Sequence, residues 1–144
     1  MDYNSQKGRV MPYTLGLQVV LQNATTMKYY LPQDDILRSR HVVGIAIRRQ
    51  NTAGDRQTIT GNTLVGDDVL AVSFLSLQSD GVNLLDRIPF DYLAINPDSE
   101  NLQFRYIPLD LPNGFNPTKS FIDIADATNL VADTAFEITF IYQP

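Results

Sequence analysis

Only two of the 16 acidic residues in this chain, Glu100 and Glu137, are glutamate, and of its 11 basic residues only Lys7, Lys28 and Lys119 are lysine. Glutamate and lysine furnish the solvent-facing sides of helices, whereas aspartate, asparagine, glycine and proline serve caps and turns. A chain that draws its charge from Asp and Arg has little material for long surface helices. The composition predicts an all-β protein.

Hydrophobic periodicity agrees. Leu15, Leu17, Val19 and Leu21 alternate with Gly16, Gln18, Val20 and Gln22, the period of two that a half-buried strand requires. Near the other end, Phe136, Ile138, Phe140 and Tyr142 share one face while Glu137 and Thr139 take the other. Between these, Pro32 to Arg38 reads as one helical turn, with proline and acids at its start. Val43, Ile45 and Ile47 share a face, and Gln57 to Thr60 reads as a short strand. Val69 to Leu77 is apolar on both sides, like a strand buried from both faces. Ile88 to Leu93 resumes an extended path, with Pro89 marking an edge or a strand start. Leu102, Phe104 and Tyr106 alternate, Pro108 to Pro117 is a proline-rich connection, and Ser120 to Ile124 is extended. Turn signals such as Gly54-Asp55, Asp80-Gly81 and Asn113-Gly114 separate these runs. The pattern predicts an antiparallel β-sandwich of jelly-roll or Greek-key type, with about eight strands and little helix. It divides the chain into an extended polar arm over 1–12 and a single domain over 13–144.

A chain of 144 residues is long enough to bury one real core. No stretch approaches the roughly 18 apolar residues of a membrane-spanning helix. The opening Met1-Asp2-Tyr3-Asn4-Ser5-Gln6 has neither a basic nor an apolar signal region, so no secretory leader is expected. With no cysteine, disulfides, zinc–thiolate sites, iron–sulfur clusters and thiol nucleophiles are excluded together. A single histidine, His41, leaves no multi-histidine metal site. The formal net charge of −5 argues against general affinity for nucleic acid.

Candidate chemistry is sparse. Gly66-Asp67-Asp68 invites comparison with the catalytic turn of RNA-dependent polymerases, but those enzymes need a much larger fold and further aspartates. A tight turn accounts for the same residues. Asp34-Asp35, Asp67-Asp68, Asp80, Asp123 and Asp126 supply hard oxygen ligands without EF-hand spacing, so a structural calcium is conceivable and is not expected. No carboxylate pair is marked for glycoside hydrolysis, and there is no tryptophan to form a sugar platform. His41 has no nucleophile elbow to serve, and a structural hydrogen bond at a strand end explains it better. No catalytic residue, cofactor or metal ligand is assigned.

The arginines stand out. Arg38, Arg40, Arg48, Arg49 and Arg56 crowd one short region of an acidic chain, and arginine is the cation favoured at bidentate, partly buried interfaces. They are the candidate interface residues, with an acidic partner such as another copy of this chain. A solvated sheet rim is the alternative. Tyr3, Tyr13, Tyr29, Tyr30 and Tyr92 could supply stacking faces for a carbohydrate.

Taken together, the polar arm, long loops, low charge, absence of cysteine and closing run Phe136 to Pro144 resemble the small β-sandwich structural proteins of icosahedral bacteriophages. Asp86-Arg87-Ile88-Pro89-Phe90 and Tyr106-Ile107-Pro108-Leu109 share that style. The resemblance implies a virion protein, capsid or capsid-associated, made in the host cytoplasm. Such a protein works with copies of itself or other virion proteins, touches no membrane and has no enzymatic activity. A carbohydrate- or host-surface-binding β-sandwich module is the alternative function.

Overall fold

The computed structural model describes residues 13–48, 62–94 and 106–144. Eight strands carry the fold: β1 (Tyr13–Val20), β2 (Lys28–Tyr30), β3 (His41–Ile47), β4 (Ser73–Ser79), β5 (Val82–Pro89), β6 (Ile107–Leu111), β7 (Phe121–Ile124) and β8 (Ala135–Gln143). Three single-turn helices interrupt them, α1 (Asp35–Ser39), α2 (Asp67–Leu70) and α3 (Phe90–Leu93), with a 3-10 turn at Pro117–Lys119. The strands form two four-stranded sheets, in the order β1-β8-β3-β6 and β2-β7-β4-β5. Every pairing between named strands is antiparallel.

The order has a simple origin. The first strand pairs with the last, the second with the seventh, the third with the sixth, and the fourth with the fifth. One long antiparallel ribbon, folded at Asp80-Gly81, is thus wound so that successive segments fall in opposite sheets. That is the jelly roll, one of the two windings anticipated from the sequence. Gly81 supplies the left-handed position of the fold-back turn, with φ of +76°.

The inner faces of the sheets bury an aliphatic and aromatic core. Leu17, Val19, Ile45, Ile47, Phe136, Ile138 and Phe140 come from the first sheet, and Tyr29, Leu75, Leu77, Ile122 and Ile124 from the second. β8 lies between β1 and β3, and its phenylalanines each meet an aromatic from a connection. Phe136 packs edge-on against Phe90 of α3 with centroids 5.0 Å apart, and Phe140 packs against Phe115 at 4.9 Å. The β5–β6 connection and the β6–β7 connection leave from opposite ends of the sandwich, so the two pairs fasten different ends to one strand.

Several expectations need correction. A bulge between Val42 and Gly44 shifts the phase of β3, so Val42 rather than Val43 joins Ile45 and Ile47 in the core. Val69 and Leu70 lie in α2, not in a strand; the run Val69 to Leu77 is apolar on both sides because a buried helical turn leads into β4. Likewise Phe90 to Leu93 closes into α3 instead of continuing extended, and Pro89 ends the edge strand β5. The connection Pro108 to Pro117 begins inside β6, an edge strand where proline's missing N–H is tolerated. Glu137 does point away from the core, yet it is only 4% exposed. The arm over 1–12, the strand expected at Gln57 to Thr60, and Leu102 and Phe104 lie outside the described residues.

Candidate functional site

The outer face of the second sheet gathers the most distinctive surface chemistry. Strand pairing sets Lys28, Asp123, Phe74 and Pro89 side by side across β2, β7, β4 and β5. The next row places Tyr30 beside Phe121 and Ser76. Side chains in one row of a sheet share a face, so the rings of Tyr30, Phe121 and Phe74 lie on the same face as the charged groups of Lys28 and Asp123.

Arg87 organises one half of this face. Its φ is +54°, in the left-handed region that a residue bearing a Cβ occupies at a cost of about 1–3 kcal/mol. The irregularity in β4–β5 pairing between Leu75 and Leu77 lies beside it. Three contacts hold the conformation. The Arg87 amide donates to Ser76 Oγ at 3.1 Å, its Nε donates to Asp123 Oδ2 at 2.9 Å, and its guanidinium carbon sits 4.2 Å from the Phe74 ring centroid. A bulge that turns a side chain onto a sheet face is a recurrent device beside binding sites.

Lys28 organises the other half. Its Nζ stands 4.2 Å from the centroid of Phe121 and 5.3 Å from that of Tyr30, and those two rings meet edge-on at 5.8 Å. Tyr30 keeps 56% of its surface exposed. Cation–aromatic contacts of this kind contribute about 0.5–1 kcal/mol each at exposed sites and order long side chains in advance of a partner. The face can stack on flat groups, accept anions at two points and offer one carboxylate.

Of the arginines singled out in the sequence, the three described ones do not all come together. Arg38 lies in α1 and Arg40 just after it, both exposed at the start of β3, while Arg48 follows the end of β3. Seven strand residues separate Arg40 from Arg48, a span of roughly 25 Å at about 3.3 Å per residue. Arg48 Nη1 donates to Glu137 Oε2 at 2.5 Å. Arg49 and Arg56 lie outside the described residues.

His41 Nε2 meets Asp110 Oδ1 at 2.7 Å across the β3–β6 pair, with the Asp110 side chain 81% exposed. No hydroxyl among the described residues is bonded to that ring. The aspartates weighed as cation ligands are dispersed. Asp34 caps α1 by accepting the Leu37 amide at 3.1 Å, Asp80 accepts from Asn116 at 3.4 Å, and Asp126 accepts from the Thr128 hydroxyl at 2.6 Å. Among the described residues no three His, Asp or Glu side chains are grouped as a metal would need. Of the tyrosines, Tyr13, Tyr30 and Tyr92 are exposed, whereas Tyr29 is a core residue and cannot stack on a ligand. Tyr3 lies outside the described residues. No helix among the described residues is long and apolar enough to cross a membrane.

The sequence reading missed Lys28, Phe74, Arg87 and Phe121 as site residues, and weighed Asp123 only as a cation ligand. The alternation of Lys28-Tyr29-Tyr30 and Phe121-Ile122-Asp123 was the available signal, but only the pairing of β2, β7 and β4 shows that their outward members meet. Comparison of the chain with protein-family models, with curated proteins and with solved structures finds no match in any of the three.

Proposed function

We propose that the protein is a virion structural subunit, capsid or capsid-associated, that acts by self-association or by docking on a shell. The observation that carries this reading is the strand order β1-β8-β3-β6 over β2-β7-β4-β5. Jelly rolls recur as capsid building units and as lectins, and a rigid two-sheet core with loops at both ends offers several faces to neighbours at once. The side-chain chemistry on its surface suits contact: cations over rings, an ordered Arg87–Asp123 pair, and arginines at both ends of β3. The deciding experiment measures the mass in solution by light scattering over a wide concentration range and follows the protein through particle purification. Oligomers, or co-purification with particles, are expected. A monomer at every concentration that is absent from particles overturns the proposal.

One observation favours a second reading, a carbohydrate- or host-surface-binding module. Tyr30 is 56% exposed beside Phe121 on the outer face of a jelly-roll sheet, and aromatic faces of this kind stack on sugar rings. Glycan-array binding that is lost in Tyr30→Ala, with the solution mass unchanged, would select this reading over the first.

A further inference from the structure

A lysine and an aspartate directly opposite each other in a strand pair ordinarily attract. Lys28 and Asp123 hold such positions in the β2–β7 register, yet they do not form an ion pair. Asp123 Oδ2 accepts from Arg87 Nε at 2.9 Å instead, and the Lys28 ammonium lies over the rings of Phe121 and Tyr30. No carboxylate among the described residues is within ion-pair reach of Lys28. Arg87 is only half engaged. Its Nε is bonded, while neither Nη group donates to a described residue and Asp123 Oδ1 accepts from none. Both cations face water, since Lys28 is exposed and the Arg87 side chain is 52% exposed.

The two cations are also close together. Lys28 stands over Phe121 and Arg87 over Phe74, and these rings are diagonal neighbours across β7 and β4, positions about 7–8 Å apart. One small ligand can reach both. Rings that hold the cations in place beforehand reduce the ordering cost of binding.

The occupant of this face must bring three things: an anionic group for the cations, donors for Asp123, and a flat apolar face for Tyr30, the exposed ring of the cluster. From this set we infer that the face binds an acidic saccharide, a pyranose bearing a carboxylate. Its carboxylate meets the Nη pair of Arg87, the bidentate geometry that a guanidinium favours, with Lys28 as a second point charge. Its ring hydroxyls donate to Asp123, and its C–H face stacks on Tyr30. Long polyanions such as nucleic acid are repelled by Asp123 and by a chain of net charge −5. The inference goes beyond assembly and rests on the carbohydrate reading above, to which it gives a ligand class.

Calorimetric titration of the full chain tests it. The probes are oligosaccharides of galacturonate, glucuronate and mannuronate, and sialyllactose, each beside its carboxyl-reduced counterpart. At least one acidic probe is expected to bind tenfold or more tightly than its reduced form. Arg87→Gly removes the guanidinium, and glycine accepts the φ of +54° without strain; Lys28→Gln removes the ammonium. Each variant, shown to be folded by circular dichroism, is expected to weaken binding of that acidic probe at least fivefold. Tyr30→Ala is expected to weaken the acidic and reduced forms alike. Equal affinity for acidic and reduced forms overturns the inference and leaves the carbohydrate reading standing. Unchanged affinity in both cation variants overturns it as well, as does binding of single-stranded DNA or a sulfated saccharide as tight as that of the best carboxylated probe. Binding of no saccharide at all removes both the inference and the carbohydrate reading.

Discussion

Arg48 and Glu137 form an ion pair on the outer face of the first sheet, with the carboxylate side chain 5% exposed and the guanidinium bearer 28% exposed. The pair joins the end of β3 to β8, where the Arg48 amide also donates to the Glu137 carbonyl at 3.1 Å. Arg48→Ala removes the cation from a carboxylate that water barely reaches. We expect a loss of about 1.5–3 kcal/mol, the range for a hydrogen bond to a charged group. Thermal and denaturant unfolding of Arg48→Ala beside Arg38→Ala checks this, with Arg38 expected to be near neutral because it is exposed.

Phe140 is completely buried and meets Phe115, whereas Thr139 on the opposite face is only half-buried. Phe140→Ala should cost about 3–5 kcal/mol, a large part of the roughly 5–15 kcal/mol that holds a domain together. Thr139→Ala should stay within about 0.5 kcal/mol. Urea denaturation of the two variants side by side gives the comparison; equal losses would contradict the orientation of β8.

The Tyr29 hydroxyl is buried among the described residues with no protein group to bond. A hydroxyl in that state costs about 1–3 kcal/mol relative to one that is paired. Tyr29→Phe keeps the ring and removes the burden, so its denaturation midpoint should equal or exceed that of the wild type. A clear drop would mean that the hydroxyl is satisfied in solution.

Asp126 titrates below the ordinary carboxylate value, chiefly because the Thr128 hydroxyl donates to it, with the Thr128 amide adding to the effect. A carboxyl whose folded pKa is depressed contributes stability that is complete above its unfolded pKa. That contribution fades as pH falls through the folded value. The turn it closes should therefore loosen as pH falls below the ordinary carboxylate value. Thr128→Val removes the hydroxyl, and carboxyl-detected NMR titration should then find Asp126 nearer its usual value.

How much was legible in the sequence depended on whether a signal was local. Leu15 to Leu21 and Phe136 to Tyr142 announce β1 and β8 because each strand has one apolar and one polar side. β6 was hidden because Pro108, read alone, argues for a connection, and only its place at a sheet edge makes it tolerable. The bulge at Val43 and the helical turn Asp67–Leu70 depend on what packs against them, which no window of residues encodes. The candidate face was less legible still. Lys28 and Phe121 are 93 positions apart in the chain, yet one stands over the other's ring. The arginines show the converse, since Arg40 and Arg48, close in sequence, stand at opposite ends of β3.

The pairing of β1 with β8 also sets the order in which the molecule can be made. Among the described residues the cross-strand neighbour of Tyr13 is Tyr142, so β1 must wait until nearly the whole of the described chain has left the ribosome. In that interval β1 and β3 lack the central strand that separates them. Folds dominated by such distant pairings fold slowly, and their incomplete forms expose strand edges that invite wrong partners. Refolding of this protein should therefore be slower than for helical chains of its size, and its yield should fall as concentration rises.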